Sequence, residues 1–172
     1  MTLPIAHTEV TVDRDAHTII VMRVLSAPLE EVFEAWTRPE HVTCWWDPTG
    51  EPLAECEIDL RPGGAFRFVN RHSPGAKQFA GVYLEIAPPR HLIFEAMGAI
   101  GRVMLDEIEG RTHLTVRIEC RSAERLDQYL KMGIDTGTAR TFDNLAAYIC
   151  SPPRRTSDPF VVRCSACERV MR

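Results

Sequence analysis

The feature that most limits the possible folds is a series of short apolar runs between residues 53 and 121, separated by turn residues. Runs of this length, bounded by glycine and proline, are typical of an antiparallel sheet. Alternation of apolar and polar residues is clearest at 65–70 and 114–119, so each of these segments should turn one apolar face to a core. The pattern predicts six strands, at about 54–60, 65–70, 78–87, 91–97, 101–108 and 112–121.

The segment before this region contains a further extended stretch and two short helices. Residues 8–25 are rich in β-branched residues and form either a hairpin or one long bent strand. Pro28 suits the first position of the first helix. This helix continues with apolar residues at helical spacing, Leu29, Val32, Phe33 and Trp36. A second short helix follows, and Thr37 has the position of its cap in a capping-box pattern with Glu40.

The apolar face of the predicted sheet needs a cover, and a helix after the last strand can supply it. Ser122 is expected to cap a first helical segment that reaches about Met132, and a longer helix runs from about 134 to 149. Gly133 and Gly137 interrupt this pattern, although a glycine inside a helix costs about 1 kcal/mol relative to alanine. Three explanations stay open: close approach of the helix to the sheet, space left for a ligand, or a frayed helix start.

The length of 172 residues and an apolar content of 45% fit a single folded domain, which we place at residues 1–150. Residues 151–172 form a basic tail with a net charge of +3, so the domain must carry −7 for the chain to total −4. Such an acidic domain argues against binding to nucleic acid. Because no apolar run reaches the roughly 18 residues of a membrane span and no secretory signal is visible, we expect a cytoplasmic protein without membrane contact.

The six cysteines do not follow the pattern of a secreted disulfide scaffold. Four of them stand alone and should behave as small apolar residues. The other two, Cys164 and Cys167, form a C-x-x-C in the basic tail. They are an inert pair, a redox pair, or half of a zinc site that a dimer would complete with four thiolate ligands. Since no second ligand pair follows them, we expect neither a metal nor a cofactor.

Four ordered blocks resemble the START-like (SRPBCC) superfamily: 25–42 followed by Trp45 and Trp46, then 59–68, 81–94 and 133–148. Within it, the chain is most similar to bacterial proteins related to the C-terminal domain of the Aha-type activator of the Hsp90 ATPase. The resemblance implies an α+β helix-grip fold, in which a curved antiparallel sheet of six or seven strands wraps around a long C-terminal helix. It also implies two short helices after the first strand and a cavity between the sheet and the long helix.

Members of this superfamily bind hydrophobic small molecules, act as cyclases or hydrolases, or serve as co-chaperones, so the resemblance alone leaves the activity open. Our first hypothesis is that the chain binds a small hydrophobic or aromatic molecule. For each cavity candidate the alternative is plain core packing, because methionine and phenylalanine commonly fill cores. The candidates are Trp45, Trp46, Phe66, Phe68, Phe79, Phe94, Met97, Met104, Met132, Gly133, Gly137 and Thr141.

An enzyme that acts on an apolar substrate in the same cavity is the alternative hypothesis. No serine-hydrolase, zinc-protease or phosphate-loop motif is present. Among the ionisable residues near the expected inner surface, Glu95 and Arg102 are the candidates for catalysis. A second alternative is a co-chaperone that activates the Hsp90 ATPase, although the Aha-type activator uses a separate N-terminal domain that a chain of 172 residues cannot hold beside this one. Exposed strand edges make a homodimer a further expectation.

Overall fold

The computed structural model describes residues 7–72 and 78–150. The six strands predicted between 54 and 121 are all confirmed, and their ends lie within two residues of the predicted ones. No helix of the described residues is long and apolar enough to cross a membrane. The elements are β1 (Glu9–Asp13), β2 (Thr18–Leu25), α1 (Leu29–Thr37), α2 (Pro39–Trp45), β3 (Glu55–Ile58), β4 (Ala65–Val69), β5 (Gln78–Ala87), β6 (His91–Ala96), β7 (Ala99–Ile108), β8 (Arg111–Cys120), α3 (Ala123–Lys131) and α4 (Ile134–Ile149).

The eight strands of this part of the chain form one antiparallel sheet in the order β1-β2-β8-β7-β6-β5-β4-β3. Each strand from β3 to β7 pairs with the next one along the chain, and β2 joins the sheet beside the last strand, β8. The stretch at 8–25, for which two structures were open, is a hairpin, with Val10 opposite Val21. This hairpin is the reason why the sheet has eight strands where six or seven were expected.

One face of the sheet is buried against the helices. Alternate residues of β2 and β8 point to this face, so Val21 and Leu114 are almost fully buried. From the other side α4 contributes Phe142 and Leu145, which are 1% and 0% exposed. A long C-terminal helix held against an antiparallel sheet, with two short helices after the first hairpin, confirms the α+β helix-grip fold.

The helix ends follow the sequence signals only in part. Pro28 is the N-cap residue of α1 and therefore stands just before its first residue. Thr37 belongs to α1, where its hydroxyl donates to the carbonyl oxygen of Phe33 at 2.8 Å. The prediction that Thr37 caps α2 is therefore wrong, and α2 begins without a side-chain cap. The cap of α3 is confirmed, because the Ser122 hydroxyl accepts a backbone N–H bond of 3.2 Å.

The two glycines near the start of α4 have different structural reasons. Gly133 separates α3 from α4 and has a φ of 73°, a left-handed conformation that glycine adopts without strain. Gly137 lies inside α4, where an added Cβ would have Cγ of Pro48 as its nearest neighbour, at 3.9 Å. Close approach to the sheet therefore does not explain Gly137. The space in front of it is open.

Candidate ligand cavity

A cavity of about 400 Å³ lies between the sheet and α4. The sheet supplies Phe79, Phe94, Ala99, Gly101, Val116 and Ile118, and the first half of α4 supplies the facing wall. The wall also contains Trp36 from α1 and, from the segment that follows α2, Trp46 and Pro48. Met97 and Met132 also line the cavity, although their side chains are 45% and 54% exposed, so its opening lies beside them.

Glycines in two walls shape this cavity. Gly101 in β7 and Gly137 in α4 both line the cavity without adding a side chain to it. A Cβ atom at Gly101 would lie 2.3 Å from Cζ of Phe94, which is the register partner of Gly101 on β6. The Phe94 ring therefore lies directly over the backbone of β7. Any side chain at position 101 would collide with the ring there. This position of the ring makes it part of the cavity wall.

A smaller inner chamber of about 20 Å³ adjoins the cavity. Trp36, Trp46, Phe79 and Phe94 line both spaces. Many of the ring contacts here are edge to face, as between Phe79 and Phe94, whose centroids are 6.1 Å apart with an interplanar angle of 86°. Such pairs contribute about 0.5–1.5 kcal/mol each beyond the burial of their surface. The chamber is completed by Phe66, Phe68, Tyr83 and Leu92.

The polar side chains of the cavity wall mostly bond within the protein. Thr141 Oγ1 lies 3.1 Å from the carbonyl oxygen of Trp46 and 3.0 Å from that of Gly137. The Tyr129 hydroxyl donates to the carbonyl oxygen of Met97 at 2.5 Å, which ties α3 to the turn beside the opening. Burial raises the pKa of Tyr129, so its phenol stays neutral. Among the residues that the structure describes, none that lines the cavity carries a charged side chain.

Most residues predicted for the cavity lie in its wall, but four do not. Phe66 and Phe68 line only the inner chamber. Trp45 is core, and its Nε1 donates to the carbonyl oxygen of Ala35 at 3.0 Å. Side chains alternate between the two faces along β7, and Val103 and Leu105 are buried. Met104, which lies between them, therefore points to the opposite face of the sheet and is 44% exposed. The predicted residues that do line the cavity are Trp46, Phe79, Phe94, Met97, Met132, Gly133, Gly137 and Thr141.

The two candidates for catalysis lie on the outer face of the sheet. Arg102 Nε is 2.8 Å from a carboxylate oxygen of Glu119, and Arg121 is 3.0 Å from the carboxylate of Glu95. Both ion pairs lie on the solvent-facing side of the sheet. Neither Glu95 nor Arg102 lines the cavity. The expectation that they assist a reaction inside the cavity is therefore corrected.

Other lining residues were missed by sequence reasoning. The sequence places Trp36 in the apolar stripe of α1 and Thr138 in the stripe of α4, without marking either for a cavity, and nothing in it marks Tyr129. Gly101 did carry a signal, since a single glycine inside a strand often marks the close approach of another group. That group is the ring of Phe94.

The thiols of Cys56 and Cys120 have raised pKa values, and the described part of the chain contains no candidate metal centre. Burial, with the nearby charge of Glu40, raises the pKa of Cys56 from 9.0 to about 12, so the thiol stays protonated at neutral pH. Burial also raises the pKa of Cys120. Within residues 7–72 and 78–150 no group of three or more His, Cys, Asp or Glu side chains could hold a metal ion. Cys164 and Cys167 lie outside the described residues.

Comparison with known proteins identifies relatives of this fold. The family model described as activator of Hsp90 ATPase homolog 1-like protein matches residues 26–149. No match was found among curated proteins.

Solved structures with the same fold come from several bacteria. A protein from Rhodobacter sphaeroides is 19% identical, with a TM-score of 0.76 over 85% of this chain and 99% of its own. One from Arthrobacter aurescens is 20% identical, with a TM-score of 0.74 over 89% of this chain and 97% of its own. The AHSA1-like protein from Aeromonas hydrophila is 17% identical, with a TM-score of 0.63 over 80% and 99%. At these identities the similarity establishes the fold alone.

Proposed function

The chain belongs to the family of activator of Hsp90 ATPase homolog 1-like proteins, and on this premise we propose that it binds a small hydrophobic or aromatic molecule between its sheet and α4. The observation that carries the proposal is the cavity of about 400 Å³ with its apolar wall. Binding sites for small molecules are commonly concave, mostly apolar spaces of about 300–1,000 Å³. The cavity is open beside Met97 and Met132, so a small molecule can enter it from solvent.

The wall favours binding over catalysis. General acid–base or nucleophilic chemistry needs an ionisable or activated group beside the substrate. Within residues 7–72 and 78–150, the lining residues include no Asp, Glu, His, Lys, Arg or Cys. A cyclase or hydrolase would have to work with the hydroxyls of threonine and tyrosine, and those of Thr141 and Tyr129 already bond to backbone carbonyls. Activation of the Hsp90 ATPase, the cytoplasmic location and the homodimer stay predictions from the sequence.

A neutral aromatic compound, 2-acetylnaphthalene, tests the proposal by calorimetric titration and thermal unfolding. We expect one molecule to bind per chain and to raise the unfolding temperature, because a ligand of the native state alone stabilises that state. Gly137→Leu should remove most of this binding, since the new side chain enters the open space in front of α4. Leucine also suits a helix better than glycine, so the variant should fold.

The matched control is Arg140→Leu, which adds leucine to the exposed side of the same helix. It should bind the probe like the wild type. Equal binding by Gly137→Leu and the wild type would refute the cavity as the binding site.

A further inference from the structure

The hydroxyl of Thr138 differs from the other two threonine hydroxyls of α4, because it makes no hydrogen bond to any described residue. The Thr136 hydroxyl donates to the carbonyl oxygen of Gly133 at 3.2 Å, and the Thr141 hydroxyl donates to that of Gly137 at 3.0 Å. Such bonds to the preceding turn are common for threonine in a helix. Thr138 makes none, so its hydroxyl remains free both to donate and to accept.

This free hydroxyl is accessible to water. Within residues 7–72 and 78–150, the side-chain polar atoms that are both shielded from solvent and unpaired are Arg23 Nε and Trp36 Nε1. Thr138 Oγ1 is unpaired but is not among them, although the residue as a whole is half-buried. A group that takes the place of water beside Thr138 can therefore reach the hydroxyl.

The place beside Thr138 is the cavity. Ile134, Gly137, Thr138 and Thr141 line it from one face of α4, and the ring of Phe94 belongs to the wall that the sheet supplies. Since the hydroxyl of threonine is attached directly to Cβ, it stays at the cavity wall in each staggered rotamer. The missing side chain at Gly137 leaves open space next to it.

A ligand that fills the cavity removes water from this hydroxyl. A hydroxyl that loses water without gaining another partner is unfavourable, so a purely hydrocarbon ligand is penalised at this point of the wall. An oxygen atom on the ligand would accept the hydrogen bond and remove the penalty. The hydroxyls of Tyr129 and Thr141 already donate to backbone carbonyls, so among the described lining hydroxyls Thr138 has the free donor.

We propose that the ligand is an apolar molecule with a carbonyl-type oxygen, and that the Thr138 hydroxyl donates a hydrogen bond to this oxygen. The inference rests on the proposed binding function and names the chemical class of its ligand. Thr138 is then a residue that determines specificity, while the rings of Phe79 and Phe94 contact the apolar part of the molecule.

Two probes of nearly the same shape test the hydrogen bond. They are 2-acetylnaphthalene and the alkene 2-isopropenylnaphthalene, in which CH₂ replaces the oxygen. Thr138→Val keeps the shape and the helix propensity of the side chain and removes only the hydroxyl. Calorimetric titration should show that the ratio of ketone affinity to alkene affinity falls about five- to tenfold in this variant.

Two further variants serve as controls. Thr138→Ser retains the hydroxyl and loses only a methyl group, so its ketone-to-alkene ratio should stay within about twofold of the wild-type ratio. Thr136→Val makes the same change as Thr138→Val on the same helix, at an exposed residue that does not line the cavity. It should also keep the wild-type ratio.

A spectroscopic measurement reports the bond itself. The infrared carbonyl stretch of 2-acetylnaphthalene bound to the wild type should lie below its value in hexane, as it does for a hydrogen-bonded ketone. In Thr138→Val the stretch should move back toward the hexane value. In Thr136→Val it should stay where it is in the wild type.

The outcomes distinguish the inference from the function on which it rests. If the wild type binds the probes but the ratio in Thr138→Val falls less than about threefold, or the stretch is the same in both proteins, the role of Thr138 is overturned and the binding function stands. This result is expected if the hydroxyl rotates to bond the preceding turn of α4 when a ligand enters. If the wild type binds neither probe, the binding function and this inference fall together.

Discussion

The ring of Phe94 lies against the backbone of Gly101, its register partner on the neighbouring strand. A Cβ atom at position 101 would come within 2.3 Å of Cζ and 2.5 Å of Cε2 of this ring. Covering a strand glycine with an aromatic ring protects the exposed backbone and fixes the position of the ring. In this protein the pair also shapes the cavity, because Phe94 and Gly101 are both part of its wall.

Gly101→Ala is therefore expected to destabilise the protein by about 1–3 kcal/mol, as overpacking commonly does. Without the ring, alanine would be favoured over glycine in a strand by about 0.5–1 kcal/mol. The free energy of unfolding in urea measures the change. Gly137→Ala supplies the contrast, because its Cβ meets only an ordinary contact at 3.9 Å and alanine favours the helix by about 1 kcal/mol. Stabilisation by both alanines would contradict the contact between Phe94 and Gly101.

Glu95→Gln and Arg102→Gln are expected to leave probe binding unchanged, since both side chains lie on the outer face of the sheet. Each variant breaks one partly exposed ion pair, which is worth about 0–1 kcal/mol. Titration with 2-acetylnaphthalene and urea unfolding measure the two effects. A large loss of binding in either variant would show that these residues act on the cavity after all.

The sequence predicted the strands well because turn residues and alternation both depend on local chemistry. It could not choose between a hairpin and a bent strand at 8–25, since the pairing of β1 with β2 decides this. The cavity residues were predicted from their residue type. This prediction failed where an apolar side chain points away from the cavity. Met104 is apolar but points outward, and Trp45 turns into the core.

Cys56 gives the stability a pH dependence with a defined sign. Its pKa is raised from 9.0 to about 12 in the folded protein, first by burial and then by Glu40. The unfolded chain therefore releases this proton at lower pH than the folded one, so stability is lost as the pH rises from about 9 to 12. Cys56→Ala should lack this part of the loss.

The measurement is the difference in unfolding free energy between wild type and Cys56→Ala from pH 7 to pH 11. The advantage of the wild type over the variant should be constant below about pH 8 and should shrink above pH 9. Rapid alkylation of Cys56 by iodoacetamide in the folded protein at pH 8 would contradict the raised pKa, because the thiolate is the reactive form.

The most direct measurement is a crystal structure of the protein with 2-acetylnaphthalene at saturating concentration. We expect density for one probe molecule between the sheet and α4, in contact with Phe94 and beside Gly137. An empty cavity under these conditions, or a probe bound only at the outer face of the sheet, would show that this cavity is not the binding site.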